Sequence, residues 1–448
     1  MNASSDSSLE VPWGIQASIP LDLPNHWPQP QVHRPNLIGS DAEYVVQLKD
    51  ALNDPIESPT LEALITPGAR IAIVIDDPSR WTPIRDALPV VLQKLHTAGV
   101  ERGQISISVG VGRHHKVDEA SMRHRVGEAV ARDYACYSPP LDDLSQYVDL
   151  GTTPEGVPVK VFRPVAEAKL RILIGSVLPH LQAGFGGGYK LIFPGCSHRQ
   201  TLGALHRQGI GKNADQAAAL LGGSVSHNPM RRAITNAASL LSGECVSVSH
   251  LMGAPGQVFQ VRFGNVSRVQ ELLSHQAMER FRIPVNEPGD VAIAGNFPWP
   301  GDPMMSFKAL IHHREACRPG GVLVGLFWTD ESEVDRSFPM SALRAIAGSG
   351  RPGAWLIKRG LRMADHVVTR LNLPSRFMLH WARELVSERA VLIYSPTLRQ
   401  RLGPRLGPVQ LFSNLPALWK AAEAILKKPP RSIYFFPEGG LSYVPHDD

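Results

Sequence analysis

An apolar run that ends in turn residues and is followed by an amphipathic stretch recurs along this chain. "ARIAIVIDD" (Ala69–Asp77) precedes "TPIRDALPVVLQKLHTAGV", and "QISISVGVG" (Gln104–Gly112) precedes "KVDEASMRHRVGEAV". Continuous β-branched runs read as strands buried on both faces, and apolar residues three and four apart read as helices. The alternation confines the chain to an α/β fold with largely parallel sheets. "GVPVKVFRP" and "KLRILIGSV" add a third and a fourth strand. Ligands of such sheets sit beyond the carboxyl ends of the strands. Asp76–Thr82, Gly110–His115 and Ser176–Lys190 all follow strands in this way.

A chain of 448 residues exceeds one ordinary core, so two domains are expected. The pattern restarts after "SRVQELLSHQAMERFRI", a helix, with "EPGDVAIAGN", "GGVLVGLFW", "ERAVLIYSP" and "PRSIYFFPEGG" as strands. The expected division is 1–268 and 269–448, two α/β domains with the active site in the cleft between them. The first forty residues, rich in Pro and Ser, read as an extended lead-in.

Composition narrows the function. With 43% hydrophobic and 19% charged residues the chain is globular, and its net charge of +5 carries no Lys/Arg block. An anionic small-molecule substrate suits this balance; nucleic-acid binding is not called for. Cys136, Cys196, Cys245 and Cys317 are far apart and form no C-x-x-C, which argues against a disulfide framework or structural zinc and suits a reducing cytoplasm. The N-terminus lacks the pattern of a signal peptide, and no apolar stretch has the length of a membrane span.

Several motifs carry chemistry, each with an ordinary reading beside it. "DDPSRWTP" (Asp76–Pro83) offers hydroxyl donors and the bidentate fork of Arg80 for a carboxylate or phosphate, or else a strand-to-helix turn capped by Ser79 or Thr82. "VGRHHK" places His114 and His115 beyond a strand, as site residues or as a surface pair. His180 and His206 bracket the glycine cluster of "PHLQAGFGGGYKLIFPG" (Pro179–Gly195), and each alone is equally a structural or surface residue. His312 and His313 read as a solvated helix face. Neither a dinucleotide fingerprint nor Walker A spacing is present, although a backbone cradle for another phosphate remains open.

Taken together, these segments resemble the nickel-dependent lactate racemase family. That family has a strand followed by D-x-x-R, a strand followed by G-x-H, and a signature close to P-H-x-x-A-G-F-S-G-G-x-K-x-I-x-P-G. The present segment matches every fixed position except Ser, which is Gly186. His206 stands sixteen residues beyond Lys190, where the family has its next histidine. The resemblance covers most of residues 65–330.

The resemblance implies a nickel pincer nucleotide, a pyridinium-3-thioamide-5-thiocarboxylic acid mononucleotide, covalently on Lys190, with Ni also held by His206. Asp77, Ser79, Arg80, Thr82, Gly184, Gly186, Gly187 and Gly188 would bind this cofactor. His114 and His180 would be the two acid/bases of a 2-hydroxy acid racemase or epimerase that works by reversible hydride transfer from C2. Arg80, Lys308, His115, Met305 and Trp381 would meet the substrate.

Departures from the family concern the substrate. "MMSFK" (Met304–Lys308) keeps only the lysine of Y-Q-x-x-K, His115 stands where Arg is usual, and "CSHRQT" replaces an Ala-Gly-x-Glu-Thr turn. A substrate larger than lactate is therefore expected, malate among them, with His115 or Arg113 meeting a second carboxylate. The alternatives are a non-catalytic relative that binds or delivers the nickel nucleotide, and a metal-dependent hydrolase or lyase. Oligomeric state is left open.

Overall fold

The computed structural model describes residues 9–446 apart from 15, 40–41, 113–115, 211–220, 224, 226, 299–302, 338–351, 354, 358 and 361–381. The chain forms two compact units, Leu37–Glu279 and Met1–Asn36 with Arg280–Asp448. This differs from a division at 268/269: the lead-in goes with the C-terminal residues. β1 (Glu10–Trp13) and β2 (Ala17–Pro20) form an antiparallel hairpin, and β3 (Gln31–Val32) runs parallel to a strand at residues 433–436. Val11, Leu21 and Trp27 are buried in that unit's core, so the lead-in is held by ordinary apolar burial.

The Leu37–Glu279 unit is built on a six-stranded sheet. Its strands are β4 (Ile71–Asp76), β5 (Ile105–Gly110), β6 (Ala135–Tyr137), β9 (Leu170–Val177), β12 (Glu244–Met252) and β13 (Val258–Asn265). The order is β13-β12-β9-β4-β5-β6, parallel except for the β12–β13 pair. Every residue of β4 and β9 is buried, as expected of central parallel strands covered on both faces. Ile71, Ile73 and Ile75 face one core, while Val74 and Leu173 face the other. α1 (Tyr44–Asn53) and α2 (Ile84–Thr97) cover the first face; α2 does so through Ile84, Ala87, Leu88, Val91 and Leu95, spaced three and four apart.

Two expectations fail here. "GVPVKVFRP" is not a strand of the main sheet. It forms β8 (Pro158–Phe162), antiparallel to β7 (Tyr147–Thr152) in a separate ribbon. The two are joined by a short turn, and a parallel partner would have needed a crossover of a dozen residues or more. "KVDEASMRHRVGEAV" gives two helices, α3 (Glu119–Val126) and α4 (Glu128–Asp133), broken at Gly127 with φ of +91°.

The second unit has a seven-stranded sheet. Beyond β3 it contains β14 (Gly289–Gly295), β15 (Cys317–Leu326), β16 (Ala390–Tyr394), β17 (Arg405–Leu406), β18 (Val409–Phe412) and β19 (Ile433–Phe436). The order is β17-β18-β16-β15-β14-β19-β3, and only the β17–β18 pair is antiparallel. His312 and His313, expected on a solvated helix face, are instead buried. The His313 ring lies 4.2 Å from that of Phe436, and its Nδ1 donates to the Ala309 carbonyl at 2.8 Å. The helix Pro303–His312 turns its C-terminal end into the core, so the polar rings find backbone and hydroxyl partners there.

Candidate active site

β4, β5 and β9 end side by side at Asp76, Gly110 and Val177. Beyond these ends lies a concavity lined by Asp77, Arg80, His180, Gly186, Gly187 and Lys190, among others. Its volume is about 60 Å³.

The loop after β4 is built around the Asp76 carboxylate. It accepts from Thr82 Oγ1, from Ser176 N at 3.2 Å and from the Arg125 guanidinium, which reaches in from α3. The same guanidinium donates to the Arg80 and Thr82 carbonyls at 3.0 and 3.1 Å. Burial pushes the Asp76 carboxyl above the usual carboxylate range, against the pull of Arg125 and Thr82. Asp77 Oδ1 accepts from Ser79 N at 2.9 Å and tightens the turn. The Thr82 hydroxyl, expected toward a ligand, is committed to Asp76. Ser79 Oγ is buried and has no hydrogen-bond partner among the described residues.

After β9 the chain forms a tight ribbon, β10 (Pro179–His180) against β11 (Gly184–Phe185), in which His180 faces Gly184. His180 Nδ1 accepts the N–H groups of Gln182 and Ala183, both at 3.1 Å. The neutral ring therefore carries its proton on Nε2. Gly187 and Gly188 have φ of +79° and +59°, and a Cβ on Gly187 would lie 2.9 Å from the Ser176 carbonyl oxygen. Only glycine fits this approach. Lys190 follows in a single 3₁₀ turn, Gly188–Leu191.

His206 lies on α5 (Arg199–Gln208), and its Nδ1 donates to the Leu202 carbonyl one turn back at 2.7 Å. That bond fixes the tautomer whose Nε2 carries a lone pair, the arrangement usual in metal-ligating histidines. Gln182 Nε2 donates to the His206 carbonyl at 3.0 Å and ties α5 to the turn behind His180. Among the described residues no group of three His, Cys, Asp or Glu side chains is arranged to hold a metal.

His114, His115, Arg113 and Trp381 lie outside the described residues. Lys308 and Met305 belong to the second unit, on the helix Pro303–His312, where Lys308 Nζ is 2.8 Å from Met305 Sδ. Three contributors were not found from sequence: Arg125, Arg231 and Gln270. Arg231, on α6 (Pro229–Ala238), donates to the Phe185 carbonyl and to the Gly187 carbonyl at 3.1 Å. Gln270, on α7 (Val266–Phe281), donates to the Gly186 carbonyl at 2.9 Å. All three act on backbone atoms, which no residue spacing announces.

Residues 16–218 match the family model of the lactate racemase N-terminal domain. A lactate racemase of Thermoanaerobacterium thermosaccharolyticum is 25% identical over 329 residues, 71% of this chain and 74% of that protein. The chain is similar to lactate racemases over these residues. A lactate racemase of Lactiplantibacillus plantarum is 28% identical over 191 residues, 43% of this chain and 44% of that one. The solved lactate racemase apoprotein of T. thermosaccharolyticum shares the fold, with a TM-score of 0.78 and 19% identity over 98% of this chain and 100% of that chain. A Thermotoga maritima protein of solved structure has a TM-score of 0.64 at 14% identity, over 91% of this chain and 99% of that one. No helix among the described residues is long and apolar enough to cross a membrane.

Proposed function

We propose that this chain is a racemase or epimerase of a 2-hydroxy acid that works with a nickel pincer nucleotide attached to Lys190. The observation that carries the reading is the gathering of Arg80, His180 and Lys190 around the glycine turn at the carboxyl ends of β4 and β9. The residues fit such a group. The glycine turn allows close backbone approach, Ser79 Oγ is an orphaned buried hydroxyl in the adjacent loop, and His206 presents a lone pair at Nε2. A soft, planar donor set suits Ni(II).

When bound, the nucleotide supplies a reversible hydride acceptor for C2 of the substrate, which avoids forming a carbanion at that carbon. The protein moves the hydroxyl proton and holds the carboxylate. Arg80 offers a bidentate fork for the carboxylate. His180 presents Nε2–H as a hydrogen-bond donor to the substrate oxygen. For His180 to take up a proton at Nε2, the proton must first shift to Nδ1. Turnover through this residue therefore requires the turn at Gln182–Ala183 to release Nδ1. His114 is the proposed second acid/base, serving the opposite face of the substrate.

The test is peptide mass spectrometry and metal analysis of protein co-produced with the cofactor-forming enzymes. The peptide containing Lys190 should carry the nucleotide, and His206→Ala should lower the nickel content while the fold survives, because a helix accepts Ala readily. An unmodified Lys190 in active protein refutes the reading.

A further inference from the structure

Arg231 is a buried cation that meets no buried anion among the described residues. Its side chain is only 5% exposed. Its guanidinium donates to two carbonyls of the glycine turn, Phe185 and Gly187, and Nε has no partner among the described residues. No carboxylate pairs with it among the described residues. Burial lowers its pKa to about 10, so it stays charged at neutral pH. A charge taken out of water without a counter-charge is costly and is normally paired or replaced by an apolar residue. Of the other buried arginines, Arg125 meets Asp76 and Arg314 meets Glu384, whereas Arg171 donates to the carbonyls of Val165, Ala166 and Ser242.

The turn above Arg231 is oriented to match. In a trans peptide the N–H points opposite to the C=O. With the Gly187 carbonyl drawn to Arg231 and the Gly186 carbonyl to Gln270, the N–H groups of Gly188 and Gly187 point away from these two side chains. Gly186 and Gly187 line the concavity together with Lys190. Backbone N–H groups not turned toward the supporting helices, beside a fixed positive charge, are available to an anion.

We propose that Arg231 is the buried counter-charge for an anionic group, of phosphate or carboxylate type, bound over the Gly186–Gly188 turn, and that with Gln270 it sets the orientation of that turn. The inference rests on the reading that a mononucleotide is attached at Lys190, and assigns its anionic end to this side of the site. Arg231 is a positioning residue that acts through the backbone and through its field.

The test measures loading rather than activity. Wild type, Arg231→Gln and Arg231→Lys are co-produced with the cofactor-forming enzymes, the fraction carrying the adduct is read by intact mass, and folding is checked by thermal melting. Arg231→Gln should load about tenfold less, the scale of one lost charge-assisted contact. Arg231→Lys, which keeps the charge but not the fork, should recover most of that loss. Should the Gln variant fail to fold, a folded Lys variant that loads decides for the charge, and one that does not load decides against it. Equal loading of Arg231→Gln and wild type overturns the inference and leaves the nucleotide reading intact. Equal loss in folded Gln and Lys variants also overturns it and reduces Arg231 to a clamp on the turn. Absence of any adduct on wild type overturns the nucleotide reading, and the inference with it.

Discussion

Arg125 reaches from α3 to the carboxylate of Asp76 at the end of β4, and both side chains are almost wholly buried. The same guanidinium holds the carbonyls of Arg80 and Thr82. Removing one partner of a buried pair leaves the other charge uncompensated. Arg125→Ala should therefore destabilise the protein by about 3–5 kcal/mol. Denaturant unfolding followed by fluorescence checks this, and a midpoint unchanged from wild type contradicts it.

Gly187 has φ of +79° and no room for a Cβ against the Ser176 carbonyl oxygen. Gly187→Ala should shift the turn that carries Lys190, at a cost of about 1–3 kcal/mol in stored backbone strain. Melting should move down modestly while the adduct at Lys190 is largely lost. Full loading in the Ala variant argues that the close approach is not needed.

His180→Ala should lower turnover by about 10²–10⁴-fold, the range for a positioned acid–base group, and weaken substrate binding much less. His180→Gln, which can still donate a hydrogen bond but cannot shuttle a proton, should be nearly as slow. Steady-state kinetics separates these effects. A Gln variant close to wild type shows that the ring serves only as a donor.

The substrate should be larger than lactate, with malate the first to try. Met305 stands where the family offers an amide, and an apolar wall discriminates less against a longer chain than a hydrogen-bonding one does. Chiral chromatography of products from a panel of single-enantiomer 2-hydroxy acids decides the matter. A clear preference for lactate over every larger acid refutes the substrate claim alone.

Burial brings the pKa of His312 down to about 3 and that of His313 to about 4. Unfolded, both titrate near 6.5. Below that pH the unfolded chain takes up protons that the folded unit does not. Stability from the neutral rings is thus complete above pH 6.5 and is lost as pH falls toward 4 and then 3. Each histidine steepens the loss by about 1.4 kcal/mol per pH unit. Melting temperatures measured between pH 7 and 5 should fall, and His313→Gln should flatten the fall. Identical profiles for the two proteins contradict this account.

The strands were legible because β4, β9, β14 and β15 are mostly apolar along their buried lengths, and a run buried on both faces announces itself without a partner. The glycine turn was legible too, since clustered glycines after a strand mark a close approach of backbone. The supports of that turn were hidden. Arg125, Arg231 and Gln270 sit 43 or more residues from the carbonyls they hold, and direction of a side chain depends on packing rather than on spacing. His312 and His313 misled for the same reason: a helix end rich in polar residues looks solvated until the strand carrying Phe436 is laid against it.

β3 pairs with β19 across some four hundred residues of chain, and the β1–β2 hairpin contributes to the same core. The Leu37–Glu279 unit is thereby an insertion: both its ends lead into a body that starts before it and finishes after it. During synthesis the inserted unit can complete its sheet as soon as Glu279 has emerged. The opening thirty-six residues must wait for the last strand before they find their partners. A cut at residue 279 accordingly frees one self-contained body and strips the other of an edge strand and of Val11, Leu21 and Trp27.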